Sequence, residues 1–296
     1  MAAAFVTELT DRGVVRVHGA DATTFLQALV TSDVAALEPG RGGFAALLTP
    51  QGKILFDFLV APSGDAILLD VAADRVEALV ARLGLYRLRA KVAIADDGHA
   101  EAVLAFWGAA GPPLVAGTVF RDPRLAALGW RAIVPRGLVA GALGTPGLTR
   151  TDPGAYHAHR IHLGVPEGGR DFAYGDAFPH DADMDGLSGV DFGKGCYVGQ
   201  EVVSRMQHRG TARRRIVRVT GTAALPPAGT ALTAGERPIG TLGSSAGRDG
   251  LALVRLDRAK AALDAGRPIV ADGVAVGVAL PEWAPFGWPE GPAEEG

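Results

Sequence analysis

Apolar and polar positions alternate through Val14–Gly19, "VVRVHG", with the two-residue period of a half-buried strand. The period then changes. In "ADATTFLQALVTSDV" (20–34), Phe25, Leu26, Leu29 and Val30 recur at helical spacing behind a capping residue, which predicts a helix. "GGFAALLTPQGKILFDFLV" (42–60) reads as two strands joined by a turn at Thr49–Gly52, and "AILLDV" (66–71) as a third strand. "ADRVEALVARLGLY" (73–86) returns to helical spacing, with Val76, Leu79, Val80 and Leu83 on one side. This order predicts a β-rich α+β region, without the strict βαβ alternation of a dinucleotide-binding fold.

Residues 108–150 give weak periodic signals amid Gly, Pro and Ala, apart from "GWRAIVP", which predicts one more strand. At Asp152–Pro153 the capping signals of a helix appear, and Gly164 and Pro166 stop it. From Arg215 onward, "RIVRVTG", "TALTAG", "PIGTLGSS", "LALVRL", "RPIVAD" and "VAVGVAL" are short strands at near-regular intervals. They predict a small antiparallel barrel or sandwich, followed by an irregular tail at 285–296.

Composition narrows the function classes. The chain of 296 residues is long enough for two or three cores, and its net charge of −3 gives no whole-molecule attraction to nucleic acid or anionic membrane. One cysteine excludes an internal disulfide framework or a four-thiolate metal site within one chain. The uncharged stretch 102–118 is broken by "GPP" and is too short to span a bilayer, and no basic leader precedes it. A cytoplasmic protein is therefore expected.

That cysteine, Cys196, stands in "KGCYVGQE" (194–201). Val198, Val202, Val203 and Met206 share one helical face, which predicts a helix from about Gly199 to Gly210. Two readings of the thiol stand side by side. At a helix N-terminus, with Lys194 two residues away, it is reactive, and Gly195 and Gly199 let backbone amides approach an anion. Alternatively it is a small buried hydrophobe at a tight turn.

The extended stretch "KGCYVGQEVVSR" (194–205) resembles the signature of the YgfZ folate-binding proteins, relatives of the glycine-cleavage T-protein. That family includes mitochondrial factors needed to mature iron–sulfur enzymes. "LTPQGKILFDFLV", "HRIHLGVPEGGRDF" and "RPIGTLGSS" followed by "LALVRL" extend the resemblance over most of the chain. It implies a GcvT-like α+β fold: a three-part ring around a central tetrahydrofolate cavity, closed by a C-terminal antiparallel β-barrel. The corresponding division is 1–213 for two interleaved folate-binding parts, 214–284 for the barrel and 285–296 for the tail. It also implies Cys196 as the functional thiol. Lys194, Gly195, Tyr197, Gly199, Gln200, Glu201 and Arg205 then form the motif around a folate, with Gln51, Lys53 and Arg160 as further candidates. Cationic side chains suit the carboxylates that end a folate.

The resemblance to a T-protein is incomplete. Where that enzyme carries paired acids, this chain has Phe56 and Asp57, and where it has a pterin-binding acid, this chain has His162. The departures favour an accessory factor for iron–sulfur client enzymes or assembly proteins over a folate-dependent aminomethyltransferase or demethylase. Other constellations yield less. His157, His159 and His162 do not share one helical face, so no metal site is expected. "FPHDADMDG" (178–186) reads as a solvated turn. "MQHRGTARRR" (206–215) reads as a basic patch for folate carboxylates or an acidic partner; RNA binding is the alternative, disfavoured because no aromatics interleave the arginines.

Overall fold

The computed structural model describes residues 4–108, 111–210 and 212–289. The chain divides into two compact units. The first comprises Met1–Pro50, Leu55–Tyr156 and Leu187–Gln200; the second comprises Gln51–Ile54, His157–Gly186 and Glu201–Gly296.

In the first unit the elements run β1 (Phe5–Glu8), β2 (Arg12–His18), α1 (Ala22–Gln27), β3 (Gly43–Leu48), β4 (Ile54–Ser63), β5 (Ala66–Ala72) and α2 (Val76–Tyr86). There follow β6 (Ala93–Asp96), β7 (Glu101–Trp107), β8 (Thr118–Arg121), β9 (Trp130–Pro135), α3 (Val139–Leu143) and β10 (Thr149–Arg150). They build two five-stranded sheets, in the orders β3-β4-β5-β2-β6 and β10-β1-β7-β9-β8. The alternation read in "VVRVHG" is realised: Val15 and Val17 face the core, whereas Arg16 turns outward to Asp97 at 2.6 Å. Phe58, Val60 and Leu69 join them from β4 and β5, and Phe25, Leu26, Leu79 and Leu83 cover this face from α1 and α2. Each such aliphatic or aromatic side chain contributes roughly 1.5–3 kcal/mol by leaving water.

The helix expected over 20–34 ends at Gln27. Past that point the chain turns back on itself. The Gln27 carboxamide accepts the N–H groups of Val34 and Ala35 at 2.8 and 3.2 Å. The carbonyls of Gln27, Val30 and Ser32 are drawn off to a lysine described below.

The second unit holds most of α4 (Pro153–His162), all but the first residue of α5 (Gln200–Arg209), and a closed barrel. Asp152 caps α4 as expected, its Oδ1 accepting the Ala155 N–H at 3.2 Å. The barrel strands are β11 (Arg214–Gly221), β12 (Ala231–Ala234), β13 (Arg237–Ala246), β14 (Asp249–Arg255), β15 (Ile269–Ala271) and β16 (Val274–Ala279). They close in the order β11-β14-β13-β12-β15-β16, every pair antiparallel. Register shifts at Leu232/Thr233 and between Leu242 and Ser245 bend the wall. At Gly240 a Cβ would stand 2.4 Å from the Leu253 carbonyl oxygen, so only glycine lets β13 pass β14 there.

Helix α6 (Leu256–Asp264), which the strand pattern did not reveal, buries Leu256, Ala259 and Ala262 in the barrel's core cluster. The expected tail starts as irregular chain, yet Phe286 and Trp288 pack against that same cluster. Its residues 290–296 lie outside the described residues.

Candidate functional site

Cys196 is exposed, on an irregular segment that leads into α5. The reading of a buried filler thiol is thereby set aside. What surrounds the thiol in sequence is held firmly. Thr31 donates its hydroxyl to the Gly189 carbonyl and accepts the Ala46 N–H at 2.8 Å, while the Asp191 N–H donates to the Thr31 carbonyl at 2.9 Å. The Asp191 carboxylate then accepts the N–H groups of Gly193 at 2.7 Å and Lys194 at 3.1 Å, forming a side-chain-closed turn.

Lys194 completes the anchor. Its ammonium donates to the carbonyls of Gln27, Val30 and Ser32 at 2.7, 2.6 and 3.0 Å. These three bonds use all three of its hydrogens. The Tyr197 ring lies 5.3 Å from the same nitrogen and is itself buried. Burial pulls the Lys194 ammonium down to about 8, against the opposing pull of the Asp33 and Asp191 carboxylates. Burial also pushes the Tyr197 phenol up to about 12, with Asp191 adding to the rise.

Lys194 is therefore not a cation facing a ligand, as the resemblance implied; its charge is spent inside the fold. Gly199 has φ +82°, a left-handed value that favours glycine at the entry to α5. Gly195 has no such constraint, for a Cβ there meets nothing within 4 Å. Gln200 opens α5, and Val198 packs its side chain on the first unit's core. Cys196 is thus an accessible thiol between two buried anchors, Lys194 and Tyr197.

The other nominated cations are committed within the chain. Arg205 pairs with Glu201 one helical turn away, on the exposed face of α5. Lys53 donates to the Asp176 carbonyl and lies 3.9 Å from the Phe178 ring centre. Arg160 is fully buried: it donates to Asp171 and to the Ser244 hydroxyl, both at 2.7 Å, and to the Val165 carbonyl at 3.1 Å. It ties α4 to β13 rather than to a ligand. Gln51 is exposed at its turn. Of the donors nominated for a folate's carboxylates, Lys194 and Arg160 are directed to buried protein acceptors, whereas Arg205 keeps most of its N–H donors exposed beside Glu201.

Two further expectations are corrected. The segment 178–186 is not a solvated turn, since His180, Asp181 and Asp183 are all buried. Nor is the arginine run open throughout: Arg209 and Arg213 are exposed, but Arg214 and Arg215 are paired. Arg215 forms a two-pronged pair with Asp185 at 2.6 and 2.9 Å and donates to the His180 carbonyl at 2.7 Å. Arg214 bridges Asp176 and Asp181 at 3.0 and 2.7 Å. Acid-rich loop and arginine run neutralise one another, a long-range pairing that neither segment announces alone. Thr211, within that run, lies outside the described residues.

Burial pushes the Asp183 carboxyl well above the usual carboxylate range, because the Arg215 guanidinium, 3.6 Å away, only partly offsets it. His180 is pulled below the usual imidazole range, also by burial. The histidines of α4 diverge: His162 is exposed, whereas His157 Nδ1 accepts a hydrogen bond from Arg160 at 3.1 Å. Asp57, alone where paired acids were sought, is buried in β4. The pinning residues Thr31 and Asp191 were missed from sequence. "DFGK", with an Asp two residues before Gly, is the turn signature that marks Asp191; nothing local marks Thr31.

Comparison with known proteins bears on the whole chain. Residues 1–136 match the GCVT N-terminal domain family, and residues 213–286 match the CAF17 C-terminal β-barrel domain family. The human mitochondrial iron–sulfur cluster assembly factor IBA57 is 33% identical over 94% of this chain and 84% of its own length. The mouse protein of the same name is 32% identical over the same shares. A mitochondrial IBA57 homologue of Neurospora crassa is 34% identical over 72% of this chain, which spans 52% of that longer protein. Among solved structures, the glycine cleavage system aminomethyltransferase T of Bartonella henselae superposes with a TM-score of 0.70 at 17% identity. It covers 94% of this chain and 85% of its own, so the fold is GcvT-like. The expectation of a cytoplasmic protein is overturned, because these relatives are mitochondrial. One thiol and the lack of an apolar span fit any reducing compartment, and so never distinguished the two.

Proposed function

This chain belongs to the family of the iron–sulfur cluster assembly factor IBA57, and from that premise we propose that it assembles or repairs iron–sulfur clusters in client enzymes through Cys196. One observation carries the reading: the chain's only thiol is solvent-exposed, while Lys194, two residues before it, and Tyr197, directly after it, are buried. A thiol held for packing would be inside; a thiol held for chemistry needs access and a fixed origin.

The chemistry follows from the count of ligands. A cluster iron takes thiolate sulfur, and a two-iron cluster needs four such ligands. Cys196 offers one. It gives up its proton to solvent and bonds one iron, and the remaining ligands come from the protein that delivers or accepts the cluster. The cluster is cargo here. The part of the fold is to keep the sulfur accessible and the loop rigid, so that contact costs little ordering entropy.

Tetrahydrofolate, or a derivative, is the ligand that the GcvT-like fold suggests. Since Lys194 and Arg160 are committed to protein acceptors, no step of this proposal passes through it. A T-protein type of transfer draws no support from β4, where a single buried acid stands in place of a pair. An RNA role draws none from Arg214 and Arg215, both paired with acids.

The test is a deletion strain complemented with wild type or Cys196→Ala and scored by the activity of several iron–sulfur enzymes. Loss of those activities in the deletion and in Cys196→Ala supports the reading. Full rescue by Cys196→Ala sinks the thiol, and unchanged activities in the deletion sink the client role. A tetrahydrofolate titration of the purified chain, repeated with Lys194→Met and Arg205→Ala, tests the ligand separately.

A further inference from the structure

The end of α2 carries a feature that the thiol proposal does not use. Between Ala78 and Ala95 the sequence contains Arg82, Arg87, Arg89 and Lys91 and no acid, in a chain whose net charge is −3. All four side chains are exposed, and among the described residues none of them forms an ion pair. Two leucines stand among them in water: Leu85 is 70% and Leu88 is 88% exposed. Leu88 has φ +42°, a left-handed value that a leucine adopts only at an energetic cost. An apolar side chain held outward on strained backbone has no packing reason to be there.

Directly after this segment comes β6, the end strand of its sheet, with Ala93, Ala95 and Asp96 exposed. The ladder fixes which of its backbone groups look outward. The Asp97 N–H donates to the Val14 carbonyl at 2.9 Å, and the register pairs Arg16 with Ala95 and His18 with Ala93. The residues between them, Ile94 and Asp96, therefore direct their N–H and C=O groups away from β2. A strand edge, two exposed leucines and four cations that form no ion pair among the described residues follow one another within 82–96, with Asp96 the one acid on the strand.

We propose that this surface docks a partner protein through an acidic, extended segment that adds alongside β6 as a further strand. The edge supplies backbone bonds, Leu85 and Leu88 supply apolar contact, and the cations select acidic side chains. Charge disfavours a second copy of this chain, which would bring four more cations to the same place. A membrane or a single-stranded RNA would use the charge but not the strand edge. The surface also has a definite relation to the thiol segment. Asp21, just before α1, accepts the Lys91 N–H at 2.7 Å, and the carbonyls at and beyond the end of α1 hold Lys194. That helix of six residues is about 9 Å long, so a bound partner is one short helix from the loop's anchor. The inference stands independently of the thiol, because it concerns docking alone.

The probe is a short fluorescein-labelled peptide alternating valine and glutamate, followed by anisotropy on the full chain. Phosphatidylserine vesicles and a single-stranded polyuridine serve as rival ligands. Binding of the peptide is expected to weaken about tenfold in Arg87→Glu/Arg89→Glu and as salt is raised. It weakens also in Asp96→Pro relative to Asp96→Asn, two variants that share the loss of the carboxylate and differ in the outward N–H, and in Leu88→Gly, which removes the leucine while suiting the left-handed backbone. Leu88→Gly keeps or raises the melting temperature, which separates lost docking from lost folding. Arg237→Glu on the barrel and Cys196→Ala leave binding unchanged. Equal binding by Arg87→Glu/Arg89→Glu and wild type, or variant-sensitive binding of vesicles or polyuridine with none of the peptide, overturns the proposal.

Discussion

Replacing Lys194 with methionine tests whether the buried ammonium organises the thiol segment. The substitution keeps the length and most of the apolar stem, so packing changes little, but three carbonyls lose their donor. A buried acceptor left without a partner costs roughly 1–3 kcal/mol, and the lower end applies where water can enter. Summed over Gln27, Val30 and Ser32, with relief from no longer burying a charge, the loss is about 3 kcal/mol.

The pH dependence gives a second readout, with its own sign. Burial lowers the folded Lys194 to about 8, while the unfolded side chain keeps its ordinary value near 10.5. Between those values unfolding takes up a proton, so this group's contribution to stability rises with pH, by at most ~1.4 kcal/mol per unit. A neutral amine still donates two hydrogens, so the anchor survives deprotonation in part. The wild type is therefore expected to exceed Lys194→Met by more at pH 9.5 than at pH 7, measured by urea unfolding at both values. Two outcomes refute the reasoning. One is a loss below about 1 kcal/mol at pH 7; the other is a gap that narrows as pH rises.

Cys196→Ala is expected to shift stability by less than about 0.5 kcal/mol, because an exposed side chain is lost, and thiol reagents should label the folded wild type without denaturant. Asp183→Asn should hold or raise stability at pH 8. The folded Asp183 carboxyl titrates above its unfolded value, so its contribution to stability falls as pH rises between the two, and asparagine suits its φ of +55°. Melting temperatures at pH 5 and 8 check this, and a large loss at pH 8 contradicts it. Arg160→Ala should cost about 3–5 kcal/mol, since it strands Asp171 inside the second unit. A folded, equally stable variant would contradict it.

What the sequence revealed follows from where its signals are local. The barrel strands were legible because they are short and most are bounded by Gly or Pro; "RIVRVTG" and "PIGTLGSS" fall within β11 and β13. Strand β7 was hidden for the opposite reason. Nearly every residue of "EAVLAFW" is buried, so both faces are apolar and no period survives. Helix α1 was overextended because the turn that follows it is held by Lys194, 160 or more residues away in sequence, and leaves no local signal.

The same distinction governs the site. The motif nominated Cys196, whose thiol is exposed, but the roles of its neighbours lay in partners far along the chain. Lys194 and Arg160 look like ligand-binding cations when read alone, and only their acceptors show them to be structural. Charge pairs across long loops leave no periodic trace, which is why "FPHDADMDG" read as a solvated turn and "MQHRGTARRR" as a basic patch for a ligand or partner, when Arg214 and Arg215 pair with Asp181 and Asp185. A cation in such a chain is a candidate for binding only once its hydrogens are accounted for. By that criterion the cluster at Arg82, Arg87, Arg89 and Lys91 has the stronger claim, since no ion pair within the described residues consumes its charge.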